Sequence, residues 1–248
     1  MISGPRSIAL FATLLVVVTA VAFGLSRLYA TPRTLDLTPP AAYLAAPVPV
    51  TADVPAAAPV GGQLVDQRWL EQTSRRTGIP LPALRAYADA QLSGVGGCEL
   101  GWTTLAGIGW VESHHGTIDD RVLTLDGRSE PPIIGVPLNG EGPVAAIRST
   151  PTSAAWHGDE VWERAVGPMQ FLRSSWEPWA ADGDDDGTTD PHDLDDAAAT
   201  AARYLCASGR DLTSGEAWTD AVLSYNRSRE YVEAVHAAAT TYAERAGQ

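Results

Sequence analysis

The chain has 248 residues, 45% hydrophobic and 19% charged, enough for one domain of about 150–200 residues with appendages and too apolar for disorder throughout. Its formal net charge is −13, and all 17 cationic residues are arginine. A surface of that sign excludes the phosphate-neutralising contacts on which nucleic-acid binding rests.

Ile8 to Leu25 is an uninterrupted run of 18 apolar or small residues, preceded by Arg6 and followed by Arg27 and Arg33. Its length suits a membrane anchor, and its make-up equally suits the core of a signal peptide cleaved after Ala22-Phe23-Gly24. Either alternative carries the rest of the chain across a membrane into the cell envelope. Thr31 to Gly62 follows with seven prolines among Ala, Val and Thr and no amphipathic period, the composition of a semi-rigid spacer. The expected organisation is therefore 1–30 anchor or signal, 31–62 linker and 63–248 one folded domain.

From residue 64 the punctuation is helical. Leu64 to Thr77 stops at Gly78, Pro80 and Pro82 mark a new start, and Ala83 to Leu92 continues as helix. Leu100 to His115 places apolar residues at 100, 102, 105, 108 and 111, a stripe at helical spacing, with Gly116 positioned as the glycine that ends it. Residues 117–158 read as irregular, with turn signals at Asp126-Gly127, Pro131-Pro132, Asn139-Gly140 and Gly142-Pro143. Further helices are expected at 169–181, 193–208, 216–227 and 229–246.

The two cysteines, Cys98 and Cys206, stand before one expected helix and near the end of another. An even count in an exported chain predicts one disulfide, closing a loop of 108 residues; two buried thiols are the alternative.

G-x-S-x-G and H-E-x-x-H do not occur, and Gly94-Val95-Gly96-Gly97-Cys98-Glu99 lacks the last glycine of G-x-G-x-x-G. Serine acyl transfer, zinc hydrolysis and dinucleotide binding thereby lose their signatures. Glu112 is the remaining candidate. It lies one residue past the apolar stripe near a helix C-terminus, where the dipole and partial burial both raise a carboxyl pKa, as a general acid requires. By itself, a Glu beside a core stripe is also an ordinary structural residue.

Four motifs in order change that weighting: Glu112-Ser113, then Gly167-Pro168-Met169-Gln170-Phe171-Leu172-Arg173-Ser174-Ser175-Trp176, then Ala202-Arg203-Tyr204-Leu205, then Tyr225-Asn226 with Tyr231. Together they resemble the lytic murein transglycosylases, most closely the membrane-bound B type of actinobacteria, over about residues 64–246. The resemblance implies a mainly α, lysozyme-like transglycosylase domain with a long irregular loop excursion. It implies Glu112 as catalytic acid/base, and Gln170, Tyr204, Tyr225, Asn226 and Tyr231 as residues that line the cleft or hold the Glu. The implied substrate is the glycan strand of peptidoglycan, and no cofactor is needed for the chemistry. Leu172-Arg173 departs from the commoner hydrophobic-Pro pair, and residues 117–158 exceed the length of the shortest relatives. These departures bear on substrate length more than on the reaction.

Asp182-Gly183-Asp184-Asp185-Asp186-Gly187-Thr188-Thr189-Asp190-Pro191-His192-Asp193 has the spacing of a calcium loop, with Asp182, Asp184, Asp186, Thr188, Asp190 and Asp193 as its ligands. Asp in the last place has a shorter reach than the usual Glu, and Asp193 equally suits a helix cap. Asp159, Glu160 and Glu163 are the candidates for the second carboxylate a hydrolase would need. His114 and His115 suit a helix C-terminus, where imidazolium complements the dipole.

Overall fold

The structure, a computed structural model, describes residues 46–50, 65–142, 145–207 and 212–247. The chain divides into two units, Met1–Asp36 and Leu37–Gln248. The apolar run at 8–25 and most of the proline-rich stretch lie outside the described residues. Within that stretch, residues 46–50 lie against the folded unit: Val50 pairs with Val65, and Gln91 Nε2 donates to the Ala46 carbonyl at 2.9 Å. No helix among the described residues is long and apolar enough to cross a membrane.

Helix α1, Gln67–Thr77, begins where the Asp66 carboxylate accepts the Trp69 N–H and ends at Gly78 in the left-handed region. It starts three residues later than the sequence suggests because Asp66 is a cap and Leu64–Val65 precede it. Helix α2, Leu81–Ser93, opens with Pro82 in its first turn, where the missing N–H costs nothing.

Helix α3, Trp102–Ser113, is the core of the unit. Every residue from Trp102 to Gly109 is buried, so the expected stripe is instead apolar or small all round. Two glycines make this possible. A Cβ on Gly107 would come within 2.8 Å of the Val235 carbonyl, and one on Gly109 would collide with the Tyr87 hydroxyl. α3 thus packs closely against α8, Arg229–Ala246, and against α2. Between these lie α6, Leu194–Leu205, which packs on α2, and α7, Gly215–Tyr225. Asp193, Ser214 and Ser228 cap the N-termini of α6, α7 and α8 with their side chains. The Cys98–Cys206 disulfide joins the segment before α3 to the end of α6, as the sequence predicts.

Two expectations are corrected. The stretch 117–158 contains more regular structure than expected. A 3-10 turn at Ile118–Asp120 precedes a small antiparallel hairpin, β1 (Val122–Leu123) with β2 (Ser129–Glu130), turning at Asp126-Gly127. Helix α4, Pro151–His157, follows under a Thr150/Ser153 capping box. The hairpin is too short, and α4 too brief, for periodicity to reveal them. The helix expected at 169–181 is also reduced, to α5, Arg173–Trp176. Upstream, Val166 and Phe171 exchange both backbone hydrogen bonds (2.9 and 3.0 Å) across a loop in which Gly167 and Gln170 have positive φ. Downstream, Pro178 bars continuation. The unit is otherwise mainly α with one long excursion, the fold class read from the sequence.

Candidate active site

Glu112 projects from the last turn of α3 into a cavity of about 230 Å³. The Val166–Phe171 loop brings Gln170 and Phe171 to the same cavity, α6 brings Tyr204, and the end of α7 brings Tyr225 and Asn226. Four motifs that together span more than a hundred residues of chain therefore converge on one carboxyl.

The Tyr231 hydroxyl donates to Glu112 Oε1 at 2.6 Å. Tyr231 stands behind the carboxyl and does not line the cavity, so of the five expected partners it is the one that holds the Glu. Its placement follows from the Ser228 cap, which starts α8 three residues earlier and accepts the Tyr231 N–H. Burial pushes the Glu112 carboxyl up from 4.5 to about 7, and the Tyr231 hydrogen bond partly opposes it. Of the two causes expected from the sequence, the helix dipole and burial, desolvation by burial is the one that dominates.

Tyr225 donates to the Met169 carbonyl at 2.7 Å, and its ring meets Phe171 and Tyr204 edge-on at 5.5 and 5.6 Å. Tyr204 in turn donates to the Ser224 carbonyl at 2.6 Å. The two rings therefore stand as a rigid aromatic wall. Burial raises the phenols of both Tyr225 and Tyr231 well above their ordinary value, with the Glu112 charge adding to it, so both stay neutral hydroxyls. Gln170 sits at φ 50°, its amide nitrogen on the Gly167 carbonyl at 3.1 Å. That unfavourable backbone fixes the amide in the cleft. Asn226 accepts the Ser228 N–H at 3.2 Å, tying the cleft rim to the cap of α8.

Sequence reasoning missed Leu138, which reaches the cavity from the excursion. It is held by its N–H on the Glu163 carbonyl at 2.9 Å, a long-range pairing without a local signal. Ser113, the second half of the first motif, donates to the Pro168 carbonyl and accepts the Gly116 N–H. It thereby fastens the end of α3 to the Gln170 loop.

The candidate second carboxylates are engaged elsewhere. Asp159 binds Arg164 at 2.9 Å and accepts the backbone N–H groups of Val161 and Trp162, which hold it down at about 2. Glu163 is buried against the Ser153 hydroxyl, with His157 Nε2 at 3.6 Å. Glu160 is exposed on another surface. None of the three lines the cavity of Glu112. His114 is exposed against Trp110, whereas His115 is buried, and burial drives its imidazole down to about 3, so it is neutral rather than the expected imidazolium.

The acidic loop departs from its expected ligand set. Among the described residues, Asp182, Asp184 and Asp196 bring carboxylate oxygens within 4.8 Å of one another. Asp190 and Asp193 are drawn to Arg128, at 2.7 and 3.4 Å, and Asp193 also caps α6. Asp186 accepts the Thr188 N–H at 2.7 Å, a local turn. A helix follows the loop directly, but α5 ends at Trp176, so no helix abuts its start. Asp196 lies beyond the twelve-residue window, which is why spacing did not include it.

Residues 154–222 match the family model described as Transglycosylase SLT domain. The matched segment contains Gln170 and Tyr204 and ends before Tyr225; Glu112 lies outside it. No curated protein matches the chain. Among solved structures, the chain is similar to the Escherichia coli lytic transglycosylase SLT35 in complex with bulgecin A, at 16% identity and a TM-score of 0.46, covering 77% of this chain and 82% of that one.

Proposed function

We propose that the chain is a peptidoglycan lytic transglycosylase that cleaves the β-1,4 bond between N-acetylmuramic acid and N-acetylglucosamine. The observation that carries this reading is one carboxyl, poised near neutrality by burial, in a cleft framed by tyrosines and amides with no second carboxylate among the described residues. The matched transglycosylase segment, which supplies the Gln170 and Tyr204 parts of the cleft, supports the same reading.

Tyr231 occupies Oε1, leaving Oε2 as the oxygen that carries the proton toward the cleft. Glu112 gives that proton to the glycosidic oxygen, and the C1–O bond breaks, releasing the N-acetylglucosamine hydroxyl. The acetamido group of the muramic acid stabilises the electron-poor C1. Glu112, now a carboxylate, takes the proton of the C6 hydroxyl as O6 bonds to C1. Water is neither consumed nor required, and a 1,6-anhydro end results. A carboxyl with a pKa near ambient pH suits both half-steps, since it must be acid first and base second.

The same proposal places the protein in the cell envelope. The 8–25 segment, as anchor or cleaved signal, would deliver the domain there, and the four ordered motifs favour the membrane-bound B type. The acidic loop would take Ca²⁺ through Asp182, Asp184 and Asp196, an all-oxygen donor set that suits a hard cation. Its role would be structural, tying the loop to the first turn of α6. The decisive experiment is mass spectrometry of muropeptides released from purified sacculi. Anhydromuramic ends, lighter by one water, are expected; reducible muramic acid as the main product would overturn the reading.

A further inference from the structure

Three consecutive residues after α3, His114, His115 and Gly116, have positive φ of 51°, 60° and 86°. Two of them carry a Cβ, which the left-handed conformation disfavours. Such a run persists only where its surroundings over-determine it, and Glu112 stands two residues before it.

The surroundings are a buried chain of three side chains, two from helices α2 and α8 and one from the turn that follows α3. Tyr87 of α2 places its hydroxyl 3.1 Å from His115 Nδ1, and Tyr242 of α8 places its own 2.8 Å from Nε2. Tyr87 is fully buried, and His115 and Tyr242 are nearly so. The imidazole, neutral in this setting, accepts a hydrogen bond on one nitrogen and donates from the other, so each hydroxyl has a partner on the ring whichever tautomer is present. The His115 N–H donates to the Gly109 carbonyl at 2.9 Å, closing the last turn of α3 around Glu112. The Tyr87 hydroxyl rests on Gly109 itself, where any side chain would collide with it. α8 therefore grips the end of α3 twice: through Tyr231 on the carboxyl, and three turns further on through Tyr242 on His115.

We infer that His115 and Tyr242, with Tyr87, are positioning residues that fix the register of the last turn of α3 against α8, so that the Glu112 carboxyl meets the Tyr231 hydroxyl in a desolvated place. This deepens the functional reading above and rests on it for its significance, though not for its test. None of the three lines the cavity. Their effect reaches the substrate only through Glu112.

The test is the titration of Glu112 itself, followed by carboxyl ¹³C NMR in the folded protein, with Glu112→Gln assigning the signal. Tyr242→Phe removes one hydroxyl and little volume; His115→Leu removes both hydrogen bonds. Loosening the turn should admit water, and the Glu112 pKa should fall toward the ordinary carboxylate range by about one unit in Tyr242→Phe and by more in His115→Leu. A Tyr242→Phe protein with a lowered melting temperature but an unmoved Glu112 titration would reduce the network to a fold-stabilising one and overturn the inference. That arm stands alone if His115→Leu does not fold. Because no turnover is needed, a wild-type protein inactive on sacculi would defeat the proposed reaction and leave this result readable.

Discussion

Replacing Glu112 with Gln should separate stability from activity in a pH-dependent way. The folded carboxyl titrates near 7 against an ordinary 4.5, so between those values the folded state holds a proton that the unfolded state has lost. Stability conferred by that proton is complete below 4.5 and is gone above about 7, which makes wild type lose stability as pH rises. The gap corresponds to at most about 3 kcal/mol. Gln has nothing to ionise, and its Oε1 can still accept from Tyr231. Its amide has its own desolvation cost, but that cost is the same at all pH and cancels from the comparison. The melting temperature of Glu112→Gln relative to wild type should therefore be higher at pH 8 than at pH 4.5, by up to about 6–12 °C at ~2–4 °C per kcal/mol. Calorimetry at the two pH values measures it. Release of soluble muropeptides should meanwhile fall by roughly 10²–10⁴-fold. A melting difference that is the same at both pH values would show that the carboxyl is not desolvated, and the acid assignment would lose its physical basis.

For wild type, kcat/KM on sacculi should fall as pH rises through about 7, because the free enzyme must start protonated; in Tyr231→Phe, which removes the hydrogen bond that lowers this pKa, the alkaline limb should move to higher pH while the maximal rate drops. Asp159→Asn should leave anhydromuramic products unchanged with only a modest loss of rate, since that side chain serves Arg164 and a backbone turn; a shift to reducible ends would restore the hydrolase. Thiol reagents should find no free cysteine without reductant, and Cys98→Ala with Cys206→Ala should cost up to about 4–5 kcal/mol by denaturant titration, the chain-entropy value for so long a loop. Millimolar Ca²⁺ should raise the melting temperature by mass action, and Asp184→Ala should remove the rise while Asp190→Ala, which frees Arg128 instead, should not. An unchanged melting temperature and no calorimetric binding would reduce the loop to a turn.

What the sequence disclosed was local. The starts expected at 193 and 229 fall within a residue of those of α6 and α8; Asp193 was legible as a cap because a capping side chain acts on an N–H two or three positions away. The cleft residues were legible because each occurs in a short motif with fixed spacing. The failures share one cause, which is pairing between distant segments. The stretch 169–181 is expected to be helical, yet the Val166–Phe171 exchange consumes its first backbone groups. Leu138 reaches the cleft through a backbone bond to residue 163, and Asp190 and Asp193 turn to Arg128, some sixty residues upstream. Tyr87, His115 and Tyr242 are spread over 155 residues, so no spacing could have assembled them.

The poise of Glu112 is a balance between two neutral effects. No arginine or histidine forms an ion pair with it among the described residues, although an adjacent cation is the usual way to keep a carboxyl charged. Burial alone favours the acid form and would make the second half-step, proton abstraction, unfavourable. Tyr231 supplies a hydrogen bond that favours the carboxylate, and its own phenol is held neutral by the same burial and by the Glu112 charge. A cation in its place would pull the pKa down toward the range where no proton remains to donate. A phenol trims the pKa without overwhelming desolvation, which leaves one carboxyl able to work in both directions near neutral pH. For the proposed reaction, that requirement accounts for a cleft that, among the described residues, gives its one acid tyrosines and amides as neighbours and no cation.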